Sequence, residues 1–317
     1  MTSPLRSGAP NEALRSREGF VIANGVRLHY LEWGGQSKPA LILIHGGMDN
    51  PHAFEDLAPA LSDAFHVIAY ARRSHGRSQI KGPYDTDTLT EDLLALMDQL
   101  HIGKAHLAGW SMGGNEVTRM ATRHYERVER IVYLDGAFDC ADPTFLDAFK
   151  SIPARFMNPP DSAMASFEAY RSYYQAEVFA PLKDMRRVEA YLRENVMIQS
   201  DGSVKHRMPE PLQQEIFKDI LADPPRQYRL IRCPVLAIFP HSQFNLHGAD
   251  PQRRQEAMVC ERTYMVPMRE KFMEQLEREL RDVRIVRVPG AHSDFFLNSK
   301  DQVVDAMRRF LGEGGKH

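Results

Sequence analysis

The chain has 317 residues, of which 43% are hydrophobic and 26% charged, and its net charge is −2. That balance suits an ordinary soluble globular protein, built as one large α/β domain or as a core with a smaller insertion. A charge so close to zero sets up no global field for nucleic acid or an anionic membrane. No apolar run approaches the ~20 residues of a membrane helix.

Arginines are abundant in 119–130 and 252–287, but Glu and Asp are interleaved there, as on solvated helix faces. Cys140, Cys233 and Cys260 show no paired spacing and fit reduced thiols in a reducing compartment. Residues 1–19 are polar, carry Arg6, Arg15 and Arg17, and lack the apolar core of a signal peptide. A cytoplasmic protein with a flexible N-terminal segment is expected, a monomer or homodimer acting on a small molecule.

Residues 20–23 and 26–32 flank Asn24-Gly25, the strongest short hairpin signal. Residues 40–44 are continuously apolar, like a strand buried on both faces. They run straight into His45-Gly46-Gly47-Met48. Residues 51–61 read as a helix and 65–70 as another buried strand. Residues 71–78, ARRSHGRS, form a polar loop. In 90–100, Leu93, Leu94, Leu96, Met97 and Leu100 fall at helical spacing, with Thr88 or Thr90 as the expected cap. An apolar run over 104–108 leads into Gly109-Trp110-Ser111-Met112-Gly113, and 114–125 reads as a helix. A strand over 130–134 ends at Asp135-Gly136.

Strands and helices alternate to this point, which implies βαβ units and a mostly parallel sheet. The rhythm breaks near 139. Residues 139–229 carry no clear strand and many Met, Phe and Tyr residues. They read as a helical cap inserted into a core made of 20–138 and 230–317. The rhythm resumes with a strand over 234–239. Then come a long irregular stretch over 240–260, a charged amphipathic helix over 267–280 and a last strand over 283–288. Pro289-Gly290-Ala291-His292-Ser293-Asp294 and a closing helix over 299–311 complete the chain.

Strand, G-x-S-x-G, helix is the order in which that pattern makes a nucleophile elbow. Its two glycines let strand and helix backbones approach closely around a strained turn, which lifts the Ser111 hydroxyl clear of the sheet edge. A serine hydroxyl is a poor nucleophile without a base in hydrogen-bond reach and a third group orienting that base. Asp135 directly follows an apolar strand, so its carboxylate should emerge at the same sheet edge. Asp250 is the alternative acid, in what reads as a long loop, with Asp139 or no acid at all as the remaining readings. His241, His247 and Asp250 are read as polar loop residues and not as a metal site, and serine chemistry requires neither metal nor cofactor.

Taken together these motifs resemble the α/β-hydrolase superfamily. The resemblance covers about 20–135 and 230–312. It rests on His45-Gly46-Gly47, on Gly109-Trp110-Ser111-Met112-Gly113-Gly114 and on Gly290-Ala291-His292. Residues 71–78 look like the family's D-x-R-G-x-G-x-S loop, with Ala71 and Ser74 in place of its Asp and first Gly. The resemblance implies Ser111 as nucleophile and His292 as base. It implies an oxyanion hole from the backbone N–H groups of Met112 and Gly47, with Met48 as the second choice for the latter. Serine at 111 argues against epoxide hydrolases and haloalkane dehalogenases, which carry Asp there. The family's usual acid position falls on Gln243, which makes Asp135 the expected acid.

The expected substrate contacts are Met48, Trp110, Phe167, Tyr170 and Tyr173. Of the cap's Phe156, Met157, Met164, Phe167, Tyr170, Tyr173, Tyr174 and Phe179, about a third should face the pocket. The expectation is a cofactor-free serine hydrolase acting on a hydrophobic carboxylic ester or lactone through an acyl-enzyme. Carbon–carbon bond hydrolysis, iminopeptidase-type cleavage, a haloperoxidase side activity or non-catalytic binding are the rivals on the same scaffold.

Overall fold

The computed structural model describes residues 15–313. An eight-stranded sheet, in the order β1-β2-β4-β3-β5-β6-β9-β10, runs through the centre of the core. β1 (Arg17–Ala23) and β2 (Val26–Trp33) pair antiparallel. Asn24 (φ 49°) and Gly25 (φ 70°) both take the left-handed conformation that a tight two-residue turn requires. β1 thus claims residues 17–19 from the segment expected to be flexible. Residues 1–14 of that segment lie outside the described residues.

β3 (Ala40–Ile44), β4 (His66–Tyr70), β5 (Ala105–Trp110) and β6 (Val128–Leu134) are mutually parallel, and β2 joins β4 antiparallel. In β3, Leu41 and Leu43 pack into one layer with Phe54, Trp110, Phe296 and Phe310. Ile42 and Ile44 pack into the opposite layer with Leu96, Val117 and Phe272. Both faces are covered, which is why this strand reads as an unbroken apolar run.

Several boundaries differ from the sequence expectation for local reasons. Residues 51–61 form two short 3-10 turns, Pro51–Phe54 and Ala58–Ala60. Pro59 has no N–H to give a continuous helix there. Helix α1 (Thr86–Gln99) starts four residues earlier than expected. Asp85, not a threonine, is its cap, accepting the Thr88 N–H at 2.9 Å. Helix α2 (Gly113–Arg123) follows β5 directly.

Residues 139–229 lie between β6 and β9 (Val235–Ser242), which are neighbours in the sheet. The segment holds helices α3 (Pro143–Lys150), α4 (Phe167–Glu177), α5 (Glu189–Asn195) and α6 (Glu210–Leu221). It also holds an antiparallel pair, β7 (Val196–Ile198) and β8 (Val204–His206), where no strand was expected. Asp201-Gly202, with Gly202 at φ 85°, supplies the turn between them.

The stretch over 240–260 is not irregular throughout. Helix α7 (Pro251–Cys260) occupies its second half, and α8 (Val266–Glu279) follows after a π-turn over Glu261–Met265. β10 (Val283–Ala291), α9 (Phe295–Asn298) and α10 (Lys300–Leu311) end the chain's described part. Cys140, Cys233 and Cys260 are free thiols. Among the described residues no helix is long and apolar enough to cross a membrane.

Candidate active site

The parallel strands β3, β5, β6, β9 and β10 end at one edge of the sheet. Their order reverses around β3, which lies between β4 and β5. Open α/β sheets bind ligands outside the carboxyl ends of strands at such a reversal.

Ser111 sits between β5 and α2 at φ 53°. This left-handed backbone costs a non-glycine residue on the order of 1–3 kcal/mol. The turn is held by the Ser111 N–H donating to Leu134 O at 3.1 Å and the Gly114 N–H donating to Ser111 O at 3.0 Å. A Cβ on Gly113 would stand 2.5 Å from Ile44 O, and one on Gly114 would fall on the Gly136 carbonyl. The glycines are therefore required by close backbone approach.

Asp135 follows β6 at φ 46°, with its N–H donating to Ile238 O at 2.8 Å. Its carboxylate is fully buried, and Oδ2 lies 2.6 Å from His292 Nδ1. Arg269 of α8, itself buried, donates from Nη2 to Asp135 Oδ2 at 3.2 Å and from Nε to Oδ1 at 3.5 Å. Burial alone would raise the Asp135 pKa. The Arg269 charge and the His292 hydrogen bond outweigh it and hold the carboxyl below its usual range.

Gln243, the position expected for an acid by family analogy, accepts from Arg269 Nη2 through its side-chain oxygen at 2.8 Å. Glu261 accepts from Arg269 Nη1 at 3.0 Å and from the Gln243 N–H at 2.7 Å. Asp250 lies elsewhere: it caps α7, accepting the Arg253 N–H at 2.8 Å.

His292 follows β10, past a bulge where Gly290 adopts φ 109°. Trp110 Nε1 donates to His292 O at 3.1 Å, and Asp294 Oδ1 accepts the Ala291 N–H at 2.7 Å. These contacts fix the turn that carries the imidazole. With Asp135 accepting at Nδ1, the Nε2 lone pair is free to face the cavity. No hydrogen bond joins Ser111 to His292 among the described residues.

The cavity at this edge has a volume of about 310 Å³. Ser111, His292, Gly47, Met112 and Trp110 line it. Met112 is the first residue of the turn into α2, so its amide points out of a helix N-terminus. His45 braces the Gly47 loop. Its Nε2 accepts the Arg72 N–H at 3.2 Å, which leaves Nδ1–H to donate to Gly46 O at 2.8 Å. Burial pushes the His45 pKa well down, which keeps this tautomer neutral. Ser74, which replaces a family glycine, still takes a positive φ of 65°.

Residues 139–229 supply much of the far wall, including Phe145, Phe149, Tyr173, Tyr174 and Phe217. Of the eight aromatic and Met residues expected as wall candidates, Phe156, Met157, Tyr173 and Tyr174 line the cavity. The other expected contacts lie apart from it. Tyr170 is fully buried in the core beneath Tyr174, and Phe167 is covered by the Arg193 guanidinium at 4.1 Å. Met48, at φ 61°, packs with the cluster around Tyr84 and Ile216. Asp49, Tyr191 and Arg269 were not legible as site residues. They come from three separate elements, with no local pattern to mark them.

Residues 39–206, more than half the chain, match the model of the alpha/beta hydrolase fold family, and the chain belongs to that family. It is 39% identical over 103 residues to the non-heme chloroperoxidase CPO-A1 of Kitasatospora aureofaciens, covering 32% of this chain and 37% of that one. It is 34% identical over 118 residues to 3-oxoadipate enol-lactonase 2 of Acinetobacter baylyi, covering 37% and 44%. The matched stretch spans between 37% and 55% of the length of four such curated relatives. Among solved structures, E-2-(acetamidomethylene)succinate hydrolase is similar in fold, with a TM-score of 0.70 at 20% identity over 94% of this chain and 100% of that one.

Proposed function

We propose that the protein is a serine hydrolase that cleaves hydrophobic carboxylic esters or lactones through an acyl-enzyme. The observation that carries this reading is the buried Asp135 carboxylate, 2.6 Å from His292 Nδ1, at the same cavity edge as Ser111. In this reading His292 Nε2 takes the Ser111 proton as Oγ bonds to the substrate carbonyl carbon. Asp135 favours the imidazolium that forms. The Gly47 and Met112 N–H groups stabilise the oxyanion, each worth about 3 kcal/mol of barrier. The imidazolium then protonates the leaving alcohol. Water, deprotonated by His292, attacks the acyl carbon, and the acid product leaves with Ser111 restored. The apolar share of the wall suits a substrate with a hydrophobic part.

Fluorophosphonate labelling tests the nucleophile, and p-nitrophenyl esters of graded chain length, run beside lactones and amides, test the bond. Stoichiometric labelling at Ser111 with ester or lactone turnover is expected. An unlabelled protein would be a non-catalytic binder on this fold. The wall makes a further prediction. Tyr173→Ala should change relative kcat/KM across the ester series with little change in melting temperature. Tyr170→Ala should instead lower stability by about 3 kcal/mol or more, because it empties a buried site. A Tyr173→Ala variant with an unaltered ester preference would remove this residue from the substrate wall.

A further inference from the structure

Asp49 lies two residues beyond Gly47 and lines the same cavity. The serine mechanism has no role for it. Among the described residues its carboxylate has no ion-pair partner and receives one hydrogen bond, from the Tyr191 hydroxyl to Oδ1 at 2.6 Å. The other oxygen lies toward the nucleophile. A Cβ built on Gly46 would stand 2.5 Å from Asp49 Oδ2 and 3.3 Å from the Ser111 Cβ.

Core and insertion together hold this pair in place. Asn50 Nδ2 donates to Tyr191 O at 3.1 Å and to Asn195 Oδ1 at 2.7 Å, which ties the loop after β3 to α5. Tyr174 also lines the cavity, tilted at 46° against Tyr170 with ring centroids 4.6 Å apart. A carboxylate flanked by aromatic rings is the chemistry that binds an ammonium group, through a charge-assisted hydrogen bond and ring faces.

The charge logic points the same way. Burial pushes the Asp49 carboxyl up to about 6, against the pull of Tyr191, His292 and Arg72, so its anionic form prevails above that pH. An unanswered anion beside the Gly47 loop opposes the oxyanion that ester cleavage develops. A cation bound to it cancels that opposition. The cavity's arginine does not serve this purpose, since Arg253 is paired with Glu177.

We propose that Asp49 and Tyr191 form a subsite for a protonated amine that the substrate carries close to its scissile carbonyl. The inference deepens the hydrolase reading of the same site and rests on it for the carbonyl's position. It makes the preferred substrate an amine-bearing ester or lactone and disfavours an acyl group carrying a carboxylate.

Binding is measured on Ser111→Ala protein at about pH 7.5, with phenethylammonium and 3-phenylpropionate as probes. The ammonium should bind about tenfold or more tightly than the carboxylate. Asp49→Asn, which keeps an oxygen for the Tyr191 hydroxyl, should abolish that preference. Should this variant not fold, Asp49→Ser is the second neutral variant. On protein with Ser111 intact, the ratio of kcat/KM for an α-amino ester to that for its unsubstituted parent should fall about tenfold or more in the same variants. Equal binding of the two probes, or a parallel loss of both on substitution, overturns the proposal and leaves Asp49 as an anchor for Tyr191. Ammonium binding that depends on Asp49, in a protein that no fluorophosphonate labels, overturns the hydrolase reading and keeps the subsite.

Discussion

Ser111→Ala is expected to lower kcat for ester hydrolysis by a factor on the order of 10⁵–10⁶. No neighbouring side chain can take the nucleophile's place, because the hydroxyl is delivered by the backbone turn itself. Ser111 stands at φ 53°, between Gly109 and Gly113, with its main-chain N–H and carbonyl both used to hold the turn. Alanine keeps that backbone and its strain, so circular dichroism and the thermal midpoint should match the parent. Ser111→Gly separates chemistry from strain. It should be as inactive, yet more stable by roughly 1 kcal/mol, because glycine adopts positive φ without a steric penalty. Activity of Ser111→Ala within tenfold of the parent, on a correctly folded protein, would remove Ser111 as the nucleophile.

What the sequence made legible was local. The Asn24-Gly25 turn, the two-faced apolar run of β3 and the strand–turn–helix around Ser111 each declare themselves within about a dozen residues. Helix α7 was missed although Asp250-Pro251 is a good start signal. Its buried face is thin, little more than Arg253, Ala257 and Cys260, so no apolar period stands out. The β7–β8 pair was missed because its strands are three residues each, too short to show alternation. The cavity wall was only half legible for a geometric reason. Tyr170, Tyr173 and Tyr174 share one side of α4, but which ring packs inward and which reaches the cavity depends on how the helix is seated. Arg269 and Asp135 are 134 residues apart in the chain, and nothing at either position announces the other.

That buried pair sharpens the second large effect, the loss expected from Asp135→Asn. The carboxylate at 135 receives His292 Nδ1–H and the Arg269 guanidinium. An amide in its place can present N–H to the ring and stabilise the wrong tautomer, and it cannot balance the imidazolium charge. A fall in kcat on the order of 10³–10⁴ is expected, with folding retained. Asp250→Asn should leave kcat near the parent value, because Asp250 caps α7 and an asparagine caps a helix nearly as well. Gln243→Asp is not expected to take over as the acid by itself, because Arg269 already holds that side chain and Glu261 accepts from its backbone N–H. Arg269→Met approaches the same assignment from the other direction. The Asp135 pKa is held down mainly by Arg269 against the effect of burial, so removing the guanidinium lets it rise. Ionised Asp135 is present above its folded pKa and lost as pH falls through it. The acid limb of the kcat/KM profile should therefore move to higher pH in Arg269→Met. Stability should fall by about 3–5 kcal/mol, since Asp135 and Glu261 both lose a buried counter-charge. The comparison fails for Asp135 if the large kcat loss appears in Asp250→Asn while Asp135→Asn stays near the parent.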